Sequence, residues 1–188
     1  MKIGVLALQG DFREHQEIAL ALGHEAPAIR KGDELLGLDG LIIPGGESST
    51  IALLAKNFDL INPIRQAIAD GLPVYGSCAG MILLADRIVD GAANQETFGG
   101  IDMVVKRNAF GRQVDSFEGE IDFNGAKIHG VFIRAPWVES VGDEVQVLAQ
   151  FQGHPVAVRQ GKLLATSFHP ELTDNAAVHS YFFDEMCG

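Results

Sequence analysis

The chain has 188 residues, 47% of them hydrophobic and 21% charged, which fits one domain (residues 1–188) with a sizeable apolar core. A formal charge of −11 and a pI near 4.8 set it against nucleic acid and anionic membrane surfaces, which reward clustered Lys and Arg. No stretch approaches the roughly 20 apolar residues of a membrane span, and two cysteines, Cys78 and Cys187, allow one disulfide at most, a usage that fits a reducing cytoplasm.

The N-terminal run Ile3 to Leu8 reads as a buried strand and not as a signal peptide, because one basic residue precedes it and Gln9-Gly10-Asp11 follows at once. A helical period over Arg13 to Leu22 ends at Gly23. Gly40 to Pro44 predicts a second buried strand, followed by a Gly turn and a helix over Ser49 to Lys56. Ile61 to Ala69 predicts a helix, and Pro73 to Gly76 a strand that runs into a helical stretch over Met81 to Leu84. Strands alternating with helices imply an α/β fold with a mostly parallel sheet covered on both faces.

The second half changes character. Phe117 to Phe123, Ala126 to Phe132, Val145 to Phe151, Pro155 to Arg159 and Leu163 to Ser167 read as strands between Gly, Asn or Asp turns. They predict an antiparallel extension or edge to the sheet, closed by a helix from about Asn175 to Met186. No repeat, low-complexity tract or linker interrupts the chain.

The sharpest chemical signal is Tyr75-Gly76-Ser77-Cys78-Ala79-Gly80, between a strand and a helix. It is the cysteine counterpart of the G-x-S-x-G nucleophile elbow, in which flanking glycines permit a tight turn that lifts the nucleophile above the sheet. The following helix aims its N-terminal dipole at the sulfur and favours a thiolate, and the N–H of Ala79 is placed to donate to an oxyanion. A buried structural cysteine beside a turn would carry the same local pattern.

The second signal is Ser167-Phe168-His169-Pro170-Glu171. In an extended segment residues i and i+2 point the same way, so Glu171 can orient His169 while the other ring nitrogen faces Cys78. A third is Pro44-Gly45-Gly46-Glu47-Ser48-Ser49-Thr50, a turn that exposes backbone N–H groups without the Lys of a phosphate loop. Gly46 is the candidate second oxyanion donor; ordinary helix capping, by Ser48 or Ser49, is the plainer use of the same residues. The remaining histidines (His15, His24, His129, His154 and His179) are scattered without zinc-ligand spacing and read as surface or structural, so no metal is expected.

Together, Pro-Gly-Gly-Glu-Ser-Ser-Thr, Gly-Ser-Cys-Ala-Gly and Phe-His-Pro-Glu resemble the class I (triad) glutamine amidotransferases, which have a flavodoxin-like three-layer fold. The blocks Leu8 to His15, Arg107 to Phe117, Val131 to Pro136 and His169 to Thr173 narrow the resemblance to the glutaminase subunits of pyridoxal 5'-phosphate synthase, and they span essentially the whole chain. A small departure is Ser77, where Thr is expected as often.

This resemblance implies that Cys78 attacks the side-chain amide of L-glutamine, with His169 and Glu171 completing the triad. Gly46 and Ala79 would then form the oxyanion hole. Glutamine would be held by Gly46, Glu47, Ser48, Arg107, Ile133 and Arg134, with a structural ion pair as the lesser alternative for Arg107. The implied partner is a (β/α)8-barrel synthase subunit in a large hetero-oligomer, whose docking Gln9 and Gly10 would help to transmit to the oxyanion hole. Pyridoxal phosphate is then a product of the complex, and no cofactor is implied for this chain. Rival expectations are a glutaminase serving another synthase, a cysteine hydrolase of the group with His directly after the nucleophile (here Ala79), and a non-enzymatic binding module.

Overall fold

In the computed structural model, residues 1–91, 95–107, 109 and 116–188 are described. The first half runs β1 (Ile3–Leu6), α1 (Phe12–Ala21), β2 (Ala28–Ile29), β3 (Gly40–Ile43), α2 (Ser48–Asn57), α3 (Ile61–Ala69), β4 (Val74–Ser77) and α4 (Ala79–Leu84). It continues with β5 (Ala85–Val89), β6 (Ile101–Lys106), β7 (Ser116–Phe123), β8 (Ala126–Ile133), β9 (Trp137–Val141), β10 (Gln146–Phe151), β11 (His154–Gln160), β12 (Leu163–Thr166) and α5 (Ala177–Phe182).

The central sheet has seven strands in the order β10-β11-β12-β4-β3-β1-β2. The five from β2 to β12 are parallel, and β11 and β10 add to that edge antiparallel. β1, β3, β4 and β12 are wholly buried, which explains why they read as continuous apolar runs and not as alternating ones.

Alternate residues of each strand serve opposite faces. Leu6, Leu41, Ile43, Val74 and Ala165 pack with Ile51 and Ala55 of α2, Ile64 of α3 and Met81 of α4. Ile3, Val5, Ile42, Tyr75 and Leu164 pack on the other side with Ala19 of α1, Val178 and Phe182 of α5, and Phe132 of β8. The result is the expected three-layer α/β arrangement, in which each fully buried Ile or Leu contributes about 1.5–3 kcal/mol.

Several expectations are corrected. β1 stops at Leu6, because the chain leaves the sheet before Gln9 and Gly10. Among the described residues the hairpin β7–β8 does not extend the central sheet; its strands pair with each other, and it packs onto the face through Phe117 and Phe132, whose rings stack at 4.5 Å. β5, β6 and β9 form a further three-stranded sheet that the sequence patterns do not announce. The closing helix is α only to Phe182, and Phe183–Cys187 widens into a π turn.

Candidate active site

The site grows from four adjacent strand ends. β4 and β12 run parallel in a register that sets Ser77 opposite Thr166, and the N–H of Cys78 donates to the Thr166 carbonyl at 2.7 Å. The residue after β4 and the loop after β12 therefore leave the sheet side by side. β1 and β3, the neighbours at which the chain's progress across the sheet reverses, contribute Gln9 to Asp11 and Gly45 to Ser48.

Cys78 sits at φ +47°, a left-handed conformation that a non-glycine residue adopts only when its surroundings enforce it. The enforcement is steric. A Cβ on Gly80 would collide with the Ile43 carbonyl oxygen, and one on Gly76 would press into the Gly80 backbone. With both glycines, α4 packs directly against β3 and β4 and the sulfur is carried over the strand ends. Cys78 is buried, with its Sγ 3.9 Å from the Ile133 carbonyl oxygen. The Ala79 N–H lies in the first turn of α4, where no intrahelical acceptor exists.

His169 Nδ1 is 2.7 Å from Glu171 Oε1, and both residues are buried. The geometry that brings them together differs from the extended segment expected. His169 (φ −106°, ψ 85°) already departs from an extended strand, and Pro170–Leu172 form one 3-10 turn with Pro170 at its first position, where a missing N–H costs nothing. The turn folds Glu171 back under the ring. Loop and hairpin are tied together by the His169 N–H, which donates to Val131 at 2.8 Å. Ser77, unassigned on sequence, donates its hydroxyl to both oxygens of Glu171, at 3.3 and 3.1 Å.

These contacts fix the charges. Burial alone would lower the pKa of His169, yet its hydrogen bonds to Cys78 and Glu171 and their negative charges outweigh that and raise it to about 11. For Glu171 burial pushes upward, and interactions with His15 and His169 overcome it, holding the carboxyl well below the usual range. An imidazolium between the Cys78 sulfur and a carboxylate is the arrangement that a cysteine nucleophile needs.

A cleft of about 470 Å³ opens over the sulfur, lined by Gln9, Asp11, Gly46, Glu47, Ser48, Cys78, Ala79, Ile82, Arg107, Ile133, Arg134 and His169. Every residue expected in the triad, the oxyanion hole and glutamine binding lies on it except Glu171, which is buried behind His169. Gly10 sits just outside, packed on Gly45. Gln9 Oε1 accepts the N–H of Glu47 at 2.8 Å, so the loop after β1 braces the Gly45–Gly46 turn.

The helix cap is Glu47, in place of the expected Ser48 or Ser49. Its carboxylate accepts the N–H of Thr50 at 2.7 Å and the hydroxyls of Ser49 and Thr50. Burial opposes the charge, but these bonds bring the Glu47 pKa down to about 2. Arg107, just after β6, pairs with the other Glu47 oxygen at 2.8 Å and donates to Gln95 at 3.2 Å. Gln95 in turn donates to the buried Ser48 hydroxyl at 3.1 Å, a link that no sequence pattern marks. Most of the Arg107 to Phe117 block (Asn108 and residues 110–115) lies outside the described residues.

Two histidines read as surface or structural lie beside the triad. His15 and His179 are fully buried, and His15 Nε2 is 3.6 Å from Glu171 Oε1. Asp11 Oδ2 is 3.7 Å from His169 Nδ1, so Asp11, His169 and Glu171 bring three potential metal-ligand atoms within 4.8 Å, a grouping hidden by sequence separation. His169 Nδ1 and Glu171 Oε1 are already engaged with each other.

A mostly parallel α/β sheet carrying an elbow cysteine, with a His–Glu pair after the neighbouring strand and Gly46 of a Gly-Gly turn on the same cleft, has the class I glutamine amidotransferase type of fold. Residues 5–188 match the SNO glutamine amidotransferase family, and the chain belongs to that family. It is 60% identical to a pyridoxal 5'-phosphate synthase subunit PdxT from Nocardioides sp., over 97% of this chain and 94% of that protein. The PdxT subunit of Mycobacteroides abscessus is 59% identical over 97% and 95% of the two chains. A solved glutamine amidotransferase superposes with a TM-score of 0.94 at 50% identity, covering 99% of this chain and 98% of that one. A chain of the solved PurLQS structure from Thermotoga maritima shares the fold alone, with a TM-score of 0.66 at 15% identity over 94% of this chain and 90% of that one.

Proposed function

We propose that this chain, as one glutaminase domain over residues 1–188, hydrolyses L-glutamine and hands the ammonia to a pyridoxal 5'-phosphate synthase subunit. The observation that carries the reading is Cys78, held in a left-handed elbow on the cleft it shares with a His169–Glu171 pair joined at 2.7 Å.

The Cys78 sulfur attacks the side-chain carbonyl carbon of glutamine, forming the C–S bond and a tetrahedral oxyanion. The N–H groups of Gly46 and Ala79 receive that oxygen, an interaction stronger in the transition state than with the planar amide. His169 gives its proton to the leaving nitrogen, the C–N bond breaks, and ammonia departs from a γ-glutamyl thioester. Water then attacks the thioester, His169 takes its proton, and glutamate leaves with the thiolate restored. Arg107 binds the α-carboxylate of glutamine, alongside Glu47, Ser48, Ile133 and Arg134.

The relatives named as PdxT are synthase subunits, which supports a synthase as the acceptor of ammonia. Ammonia released into water is protonated and loses its nucleophilicity, so a closed route between the two sites has a chemical purpose. Gln9, which braces the Gly45–Gly46 turn from a half-exposed loop, is the residue through which docking reaches the oxyanion hole. Location in the cytoplasm accords with two free thiols, and no helix among the described residues is long and apolar enough to cross a membrane.

The test is glutamate release from glutamine by the purified chain, alone and with a pyridoxal 5'-phosphate synthase subunit. Stimulation by the partner supports chemistry and pathway together. Activity indifferent to it assigns the ammonia to another acceptor, and no activity in either condition rejects the enzyme.

A further inference from the structure

Beside Glu171 Oε1, the oxygen that His169 also contacts, lies a buried pair of rings that the mechanism above does not use. His15 projects from α1 and His179 from α5, and neither has any exposed surface. His15 Nδ1 is 2.8 Å from His179 Nε2, and His15 Nε2 is 3.6 Å from Glu171 Oε1. Among the described residues, His15 Nε2 and His179 Nδ1 have no hydrogen-bond partner. Tyr75 stands edge-on to both rings, with centroids 6.0 and 5.8 Å away, and Phe183 walls off His179.

We propose that His15 and His179 extend the triad into a buried five-member chain, Cys78–His169–Glu171–His15–His179, in which His15 is a positioning residue that holds the Glu171 carboxylate on His169. This rests on the cysteine-glutaminase reading. His179 in turn fixes the ring of His15.

A buried imidazole without a partner costs free energy that an aromatic hydrocarbon in the same space does not, so two adjacent buried histidines require a polar use. Among the described residues, the charged group in front of His15 Nε2 is Glu171, an acceptor without protons, so this nitrogen carries the hydrogen. The separation is beyond hydrogen-bond range but too short to admit a water, and a small ring rotation closes it. When Nε2 of His15 carries the ring hydrogen, its Nδ1 is the acceptor and His179 Nε2 is the donor across 2.8 Å. The unpartnered His179 Nδ1 then bears no proton, in keeping with the burial that, ahead of any other cause, lowers the pKa of His179 to about 3.

Glu171 is thus held from three directions, by His169 from its own turn, Ser77 from β4 and His15 from α1. The other titratable groups facing this cluster are Asp11 at the start of α1, Tyr75 on β4 and Cys78 across the His169 ring. Without His15 the carboxylate loses one of its restraints and supports the His169 imidazolium less well.

The test compares His15→Leu with His15→Gln, whose amide nitrogen replaces Nε2 as a donor, in the complex with a synthase subunit. For His15→Leu, kcat falls about 10- to 100-fold with KM for glutamine little changed, and His15→Gln recovers most of the loss. Independently of glutamine, the alkylation rate of Cys78 by iodoacetamide, read on its peptide by mass spectrometry, has its acid limb moved to higher pH in His15→Leu and not in His15→Gln. Wild-type kcat in His15→Leu overturns the proposal, as do equal losses in both variants with an unmoved alkylation profile. A shifted profile in a protein that never hydrolyses glutamine rejects the glutaminase reading and leaves the positioning role standing. If His15→Leu does not fold, ¹⁵N-histidine NMR of the wild type decides: Nε2-protonated tautomers at His15 and His179 support the chain, and a protonated His179 Nδ1 overturns it.

Discussion

The hydroxyl of Ser77 reaches the carboxylate of Glu171 across 94 positions of sequence, donating at 3.3 and 3.1 Å to its two oxygens. Residue and nucleophile are consecutive, so the turn that lifts Cys78 into the cleft also sends its neighbour down to the far end of the triad. The left-handed turn at Cys78, directly after the last residue of β4, lets the sulfur and the Ser77 hydroxyl leave the backbone in different directions.

Ser77→Ala therefore leaves a buried carboxylate short of one donor. A hydrogen bond to a charged group is worth about 1.5–3 kcal/mol, which predicts a loss of that order in unfolding free energy and a lower kcat. Ser77→Thr keeps the donor and stays near wild type in kcat. Urea unfolding and steady-state glutaminase assays check both.

Gly80→Ala presses a methyl group onto the Ile43 carbonyl oxygen, and backbone on both sides leaves no flexible side chain to yield. Overpacking of this kind costs about 1–3 kcal/mol. The variant melts at a lower temperature and loses activity with it, because the elbow that sets Cys78 at φ +47° is displaced. Differential scanning calorimetry and a Cys78 alkylation rate report the two effects.

Arg107 has two available roles, and kinetics separates them. It is half-buried on the cleft and already paired with Glu47 at 2.8 Å. If it also binds the substrate carboxylate, Arg107→Gln raises KM for glutamine by about 10- to 100-fold, as expected for a lost charge-assisted bond. An unchanged KM with reduced stability assigns it to the ion pair alone.

The triad also sets a pH dependence of stability. The pKa of His169 rises from 6.5 to about 11 on folding, so its contribution is complete below about pH 6.5 and is lost as pH climbs towards 11. The pKa of Glu171 falls from 4.5, so its contribution is complete above about pH 4.5 and is lost as pH drops below that. The stability difference between wild type and His169→Gln is thus largest between about pH 4.5 and 6.5 and shrinks on either side, which denaturant midpoints across pH will show.

Sequence disclosed the parts whose signal is local. The buried parallel strands announced themselves as unbroken apolar runs, and the elbow showed its glycines on either side of Cys78. What it concealed was assembled by contact between distant segments. His15 and His179 are separated by 164 positions and carry no spacing motif, so only the packing of α1 against α5 makes them a pair. Glu47 is hidden as a cap by the two serines beside it, the commoner capping residue. β6 alternates buried and half-buried residues in a pattern open to a strand reading, but its partner β5 follows α4 without a break and is masked by it.

Covalent catalysis by Cys78 is tested most directly by mass spectrometry of acid-quenched protein after brief mixing with glutamine and the synthase subunit. The expected result is a γ-glutamyl adduct on the peptide bearing Cys78, absent from Cys78→Ala, in which glutamate release falls by at least about 10⁴-fold. Glutamate formed at the wild-type rate by Cys78→Ala, or an adduct on any other residue, contradicts it.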